Sequence, residues 1–410
     1  MNTKKMLAVL VAGACGAPLL ACAEDGDAPK VTSAKGSPIT FYGNLYPQFT
    51  VISSSGATAS TGPRNTLSGA PAGVELARHN EVQSSNSRLG FRGKESLGGG
   101  YEAFFQVESK IPIDAGGGTF ATRDSFVGLR GGFGSVKLGN MDTVYKNYGD
   151  TLSFLGISSG NFVSNSNLLS KAGFGTSSSA SFHLRRANSV VYDSPALGAV
   201  EFSVGYSPDE VRASGRNADL VSTGIRYGGK RSPFFVALAY EVHNDLFGGS
   251  RNAPTALSNF ANLNARSKDT AVRLTGSFTF FEKTTIEANY ATIKYTESGG
   301  LAGRFNNYKH NAFNVSVAHS LGPWQFSGAF VRANDGSCSL VGGAVCSTAG
   351  LQGTQVSAGG RYNFSKRTGV FAIYSKIYNG FAARYSNLDN GDPSSGSDIS
   401  QFALGVQHKF

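Results

Sequence analysis

Few side chains in this sequence are spaced for covalent chemistry. Gly156-Ile157-Ser158-Ser159-Gly160 fits the G-x-S-x-G pattern of a hydrolase nucleophile, but that chemistry needs a strand-to-helix elbow with Asp and His partners. Here the pattern lies in a Ser- and Gly-rich stretch, where it arises by chance. The six His show no metal-ligand spacing, and His310 and His319 stand too far apart on one strand to chelate. No catalytic, cofactor-binding or metal-binding residue is assigned, and neither enzyme activity nor a cofactor is expected. What remains is electrostatic. Arg88, Arg92, Arg123, Arg273 and Arg361 sit in runs of alternating residues, Arg185 and Arg186 follow the long connection 141–183, and that connection carries Asp142, Lys146, Asp150 and Lys171. Fixed charges beside water sort ions by sign without making bonds. A net charge of +10 could also suggest nucleic acid, but the basic residues are dispersed and the chain begins like an exported protein, so no nucleic acid is expected.

The elements that must hold these charges begin at the chain ends. Lys4 and Lys5 precede an apolar stretch from Met6 to Leu20, and Ala21-Cys22-Ala23 offers a small-residue cleavage site. Residues 1–23 therefore read as a signal peptide, too short and too Gly/Pro-interrupted for a membrane span. Leu19-Leu20-Ala21-Cys22 also resembles a lipoprotein box, so lipidation of Cys22 stays open as the alternative to cleavage after Ala23. Residues 24–38 form a polar leader with no assigned role. Cys338 and Cys346 lie in a Gly/Ser-rich stretch, and an exported chain meets an oxidising compartment, so a disulfide pinning that loop is expected. At the far end Phe402, Leu404, Val406, His408 and Phe410 share one face of a strand, with Gln401, Gln407 and Lys409 on the other. A strand ending on a terminal Phe resembles the C-terminal signature of bacterial outer-membrane barrels.

Between the ends the pattern is period two. In 40–52, Phe41, Gly43, Leu45, Phe49 and Val51 point one way and Tyr42, Asn44, Tyr46, Gln48 and Thr50 the other, with Pro47 marking a bulge or break. Similar runs cover 88–93, 101–110, 123–131, 200–206, 234–242, 269–280, 313–317 and 355–364, with no uninterrupted helical period competing. The connections alternate in length. Short ones fall at 95–99, 131–134, 195–199, 228–232, 281–283, 321–323 and 365–367; long polar ones at 53–80, 141–183, 244–267, 297–306, 334–353 and 380–397. That is the layout of an up-and-down barrel spanning an outer membrane, and the intervals give sixteen strands, enough to enclose an aqueous channel. The 53 Gly without a Gly-X-Y period and the mean hydropathy of −0.15 exclude collagen and a helical membrane protein. A closed barrel satisfies every backbone polar group in lipid. It turns its apolar residues outward and needs no large central core. Tyr42, Tyr192, Tyr206, Tyr227, Trp324 and Tyr362 are expected in the aromatic girdles.

Several segments resemble the general porins of β-proteobacteria and Neisseria, a trimeric sixteen-stranded family. The resemblance is carried by Ser87-Arg88-Leu89-Gly90-Phe91-Arg92-Gly93-Lys94-Glu95-Ser96-Leu97-Gly98-Gly99-Gly100, by Arg123-Asp124-Ser125-Phe126-Val127-Gly128-Leu129 with Gly132-Phe133-Gly134-Ser135-Val136-Lys137-Leu138-Gly139, by Asn188-Ser189-Val190-Val191-Tyr192-Asp193-Ser194-Pro195, and by Phe410. It implies an all-β, antiparallel transmembrane barrel with short periplasmic turns, whose third external loop folds inward and faces wall arginines. By that resemblance 39–410 is the barrel and 141–183 the constriction loop. Arg88, Arg92, Arg123, Asp142, Lys146, Asp150, Arg185 and Arg186 then belong to the constriction, and Phe410 is an assembly signal for the barrel assembly machinery. Alternation agrees for the walls: Leu89 and Phe91 suit lipid, so Arg88 and Arg92 face water, and Phe126 takes the lipid face while Arg123 takes the lumen. A lipid-facing Arg at the midplane would cost ~2–4 kcal/mol. Arg273 and Arg361 fall in the lumen phase too, either at the narrowest point or merely solvated. Lumen-phase Glu102, Glu108, Glu201 and Glu241 offset the positive field.

The expected function is passive diffusion of small hydrophilic solutes and ions, anions favoured, by a homotrimer in contact with outer-membrane lipid. Two other classes stay open: a substrate-specific outer-membrane channel or receptor, and an exported soluble β-protein.

Overall fold

Alternation of lipid-compatible and polar side chains produces the architecture the period-two runs require. The computed structural model describes residues 30–32, 38–84, 86–149, 155, 163–175, 177–210, 215–228, 232–388 and 394–410. The proposed signal peptide, most of the leader, Asp150 and the 156–160 motif lie outside these residues.

Sixteen antiparallel strands form one closed barrel. β1 comprises Pro38–Leu45 and Gln48–Ser55, and β2 comprises His79–Gln83 and Arg88–Gly98. They are followed by β3 (Tyr101–Lys110), β4 (Ser125–Gly131), β5 (Gly134–Asp142), β6 (Arg185–Asp193), β7 (Val200–Pro208) and β8 (Asp219–Tyr227). Then come β9 (Phe234–Asn244), β10 (Arg266–Phe280), β11 (Thr284–Ser298) and β12 (Phe305–Leu321). The last four are β13 (Trp324–Ala333), β14 (Gly353–Asn363), β15 (Thr368–Asn379) and β16 (Asp398–Lys409). Each pairs with its sequence neighbours, and β16 closes the ring on β1 from Asp398↔Ser55 to Gly405↔Gln48, then at His408↔Leu45 and Lys409↔Asn44.

The two breaks lie side by side. Pro47 has no N–H to give the ladder; the neighbouring Tyr46 N–H donates instead to Ser87 Oγ at 2.7 Å, across the gap in β2. The chain then ends by clasping its own first strand. Gly43 N–H donates to the Phe410 carbonyl at 3.0 Å and Phe410 N–H returns the bond at 3.1 Å. The Phe410 ring fills the space above Gly43, where any Cβ would stand 2.2 Å from its Cζ. The leader contributes structure the sequence did not suggest: Lys30–Thr32 pairs antiparallel with 38–40, at the foot of the same strand.

The outer and inner faces follow the alternation. Phe202, Val204, Leu238, Leu274, Phe402 and Leu404 are exposed outward, whereas Ser203, Ala237, Ala239, Arg273, Gln401 and Ala403 are buried inside. Aromatic pairs cluster by the short turns: Trp324 with Tyr362 at 4.9 Å, Tyr101 with Phe133 at 6.4 Å and Tyr227 with Phe234 at 6.1 Å between centroids. Three expectations are corrected. Tyr42 is no girdle residue but points inward. The first short turn begins at Gly98, so Glu95 and Ser96 still pair with Ala103 and Glu102. The long connections number eight and not six, since 111–124 and 209–218 join them.

The largest correction concerns the interior. The connection between β5 and β6 begins with α1 (Val144–Gly149), continues to α2 (Ser166–Leu169), and buries Tyr145, Phe174 and Phe182 against Tyr295, Phe305 and Tyr308 of the wall. A packed apolar cluster therefore occupies part of the barrel, and each such aromatic contributes about 1.5–3 kcal/mol on burial. The loops over the mouth interlock with it. Leu67 of the first loop joins Leu351 and Ala382 of the last two in that cluster. Asn65 donates to the Ala349 carbonyl at 2.9 Å, Thr58 Oγ1 to Phe381 O at 2.7 Å and Ser68 Oγ to Ala382 O at 2.7 Å. Cys338 and Cys346 are joined by a disulfide with a Cα–Cα distance of 5.7 Å, and Ser337–Leu340 pairs with the upper part of β12.

Candidate functional site: a charged passage beside the inward loop

The long loop is tethered along one side of the lumen. Tyr145 N–H donates to Ser222 Oγ of β8 at 2.9 Å, and the Tyr148 hydroxyl meets Ser203 Oγ of β7 at 2.8 Å. The α1 carbonyl of Gly149 accepts from Arg273 of β10. Farther on, Leu155 O accepts from Tyr46 Oη at 3.1 Å and from Arg361 of β14 at 3.4 Å. Asn165 donates to Ser316 Oγ of β12 at 3.0 Å, Tyr295 of β11 donates to Ala180 O, and Phe182 stacks on His243 of β9 with centroids 4.3 Å apart. Arg273 and Arg361 are thus buried lumen-side residues whose guanidiniums hold loop carbonyls. Such charge-assisted bonds are stronger than neutral ones.

The inner faces of β2–β6 carry the charges instead. Glu108 of β3 is the centre of one group: its carboxylate accepts from Arg123 Nε at 2.5 Å and from the Tyr42 hydroxyl at 3.0 Å, with Arg88 Nε at 3.7 Å. Two guanidiniums share one carboxylate, so the group keeps a net positive charge. Asp124 begins a second group. Arg185 reaches Asp124 Oδ1 and Asp142 Oδ1, each at 2.7 Å, and Lys146 of α1 reaches Asp142 Oδ1 at 2.9 Å. Of the two arginines after the loop, Arg185 makes these pairs; Arg186 stands opposite Met141 in the β5–β6 register. Arg92 lies over the Tyr42 ring at 5.4 Å.

The phase assigned to Phe126 is wrong. Val127 and Leu129 are 64% and 52% exposed on the outer face, and Phe126 packs against the interior cluster. Arg123 and Asp124 precede β4, so regular alternation starts only at Ser125, and Arg123 and Phe126 both end up facing inward. Lys94, Arg130, Lys137, Asp193 and Arg226, not singled out from sequence, extend the charged strip toward the short turns and join the expected Glu102 and Glu201. Arg130 pairs with Glu102, which also has Lys94 Nζ at 3.5 Å; Lys137 pairs with Asp193 at 2.7 Å, and Arg226 with Glu201 at 2.5 Å. Cross-strand register supplies the signal that was available: Glu102↔Arg130, Ser135↔Asp193 and Glu201↔Arg226 are opposed once the strands are aligned.

The chain matches the Gram-negative porin family over residues 7–380. It is 29% identical to the major outer membrane protein P.IB of Neisseria meningitidis serogroup B over 356 residues, covering 83% of this chain and 92% of that protein. A second P.IB of that serogroup is 30% identical, over 69% of this chain and 73% of the relative. Among solved structures, the anion-selective porin from Comamonas acidovorans superposes with a TM-score of 0.65 at 21% identity, covering 91% of this chain and all of the other. The trimer form of OmpT from Vibrio cholerae superposes at 0.60 with 15% identity, covering 91% and 99%. These likenesses of fold agree with a barrel that is apolar outside and charged within. The family match over most of the chain then settles its place: it belongs to the Gram-negative porins, as an outer-membrane β-barrel channel for passive diffusion of small hydrophilic solutes.

Proposed function

We propose that this channel prefers anions, that the loop 141–183 narrows it, and that Arg88, Arg92, Arg123, Arg185, Arg186, Asp142, Lys146 and Asp150 line the narrow part. The observation that carries the reading is the sharing of carboxylates along β2–β8 and α1. Nine cations (Arg88, Arg92, Lys94, Arg123, Arg130, Lys137, Lys146, Arg185 and Arg226) stand with six carboxylates (Glu102, Glu108, Asp124, Asp142, Asp193 and Glu201). The imbalance leaves a positive field beside the passage, which raises the local concentration of anions and lowers that of cations. The fold's likeness to an anion-selective porin supports the same sign.

In this reading residues 1–23 are removed as a signal peptide, 24–38 form a leader, and 39–410 form the barrel. The working unit is a homotrimer in contact with outer-membrane lipid, in keeping with the trimeric OmpT fold relative. Phe410 is read by the barrel assembly machinery. The chain performs no catalysis, because width and charge alone decide what passes. Planar-bilayer recording tests the proposal: a KCl gradient should give a reversal potential on the chloride side. Arg88→Glu and Arg123→Glu should each move it toward potassium. Cation preference in the unmodified channel would refute the sign, and unmoved potentials in the variants would refute the residues.

A further inference from the structure

The charged strip has a second regularity. Three inward-facing aromatic rings pack against a glycine, and two residues beyond that glycine an arginine covers the ring. Tyr42 lies over Gly90 beneath Arg92, Phe104 over Gly128 beneath Arg130, and Tyr148 of α1 over Gly224 beneath Arg226. A Cβ at those glycines would stand 2.6, 2.8 and 2.6 Å from the ring atoms. The guanidinium carbons are 5.4, 5.1 and 5.3 Å from the ring centroids. Lys137 adds a fourth pair, 5.6 Å over Phe126.

Phe104 and Phe126 are the unexpected members. Both face inward among the charges of the strip, both are only partly buried, and their centroids are 5.8 Å apart. Partly exposed apolar rings beside water cost free energy unless something covers them. Arg130 and Lys137 cover one side of each while pairing with Glu102 and Asp193.

We propose that this strip is a track for aromatic anions, and that the channel passes planar aromatic carboxylates in preference to aliphatic ones of equal charge and similar size. An aromatic carboxylate can stack on a ring edge or a guanidinium plane while its carboxylate meets the guanidinium edge. An aliphatic carboxylate obtains only the charge. The inference rests on the anion preference proposed above and adds a class of solute to it.

The test uses the full barrel in planar bilayers with gradients of potassium benzoate and potassium cyclohexanecarboxylate, and a KCl gradient on the same membranes. Stacking contacts of this kind are worth roughly two- to fivefold each, so benzoate should be favoured over cyclohexanecarboxylate by about that factor. Phe104→Leu/Phe126→Leu should lower the ratio toward one, with the Tyr42 and Tyr148 pairs left in place. Arg130→Lys, which keeps the charge and loses the plane, should lower it as a second and independent variant. A ratio near one in the unmodified channel overturns the track, as does a ratio that survives both variants. If the rings merely orient the arginines, the variants will change both carboxylates equally, and the track again falls. Loss of chloride preference in the KCl gradient would instead refute the anion reading itself.

Discussion

Glu108 makes the clearest quantitative case, because it is the one carboxylate between Arg88 and Arg123. Glu108→Gln keeps an amide oxygen to accept from Tyr42 and Arg123 and changes the local charge by one unit. An ion in the passage ~7 Å away interacts with that charge by about 0.6 kcal/mol in water. At 0.1 M salt, where the screening length is about 10 Å, roughly half of this survives. The variant thus favours an anion by about 0.3 kcal/mol and disfavours a cation by the same amount. Together these raise the chloride-to-potassium permeability ratio about threefold. At 1 M salt the screening length falls to about 3 Å and the gain should nearly vanish. Reversal potentials in planar bilayers at both salt concentrations measure the ratio directly. An unchanged ratio at 0.1 M, or an equal change at 1 M, would show that ions pass too far from Glu108 for it to matter.

Other elements yield shorter tests. Arg273→Met removes the donor to the Gly149 carbonyl and to Asn289, a charge-assisted tie of about 1.5–3 kcal/mol; it should loosen α1 and increase open-channel current noise, and a recording as quiet as the parent's would refute the tie. Gly43→Leu must expel the Phe410 ring, so less protein should reach the heat-modifiable folded form in detergent gels; an unaltered folded fraction would deny Phe410 its role in closure. Reducing the Cys338–Cys346 disulfide releases a short loop, worth about 2–3 kcal/mol by chain entropy. Proteolysis should then increase within that loop while the barrel keeps its gel mobility, and loss of the barrel form would mean the link does more than pin a loop.

Strand number, strand faces and the closing role of the last strand were legible because lipid imposes a two-residue period and turns interrupt it. The break at Pro47 was legible for the same local reason, a missing N–H. The inward loop was legible as a length, but not where it binds. Gly149, Leu155 and Asn165 meet Arg273, Arg361 and Ser316 across the barrel, and no spacing along the chain records that proximity. Nor could alternation place Phe126, since it assumes the strand has already begun at Arg123. The interior cluster was missed because Tyr145, Phe174 and Phe182 lie in a Ser- and Gly-rich connection without periodicity, where aromatic residues resemble ordinary loop composition. Most of the lumen carboxylates were found, Glu102, Glu108 and Glu201 among them, but the cations that pair with them at Arg130 and Arg226 were not, because register sets those pairs.

The mouth of the barrel also carries information about the order of folding. The first external loop bonds to residues 281 to 323 positions away, through Thr66, Thr58 and Val74. Contacts so distant in sequence incur the entropy of closing nearly the whole chain before they return any enthalpy. Pairing of β16 with β1 brings these loops together and lowers that cost. A chain halted one strand short would leave Leu67, Leu351 and Ala382 at an open rim. Completion of the vestibule is therefore a kinetic signature of ring closure, and the last event of maturation should occur on the side farthest from the C-terminal phenylalanine.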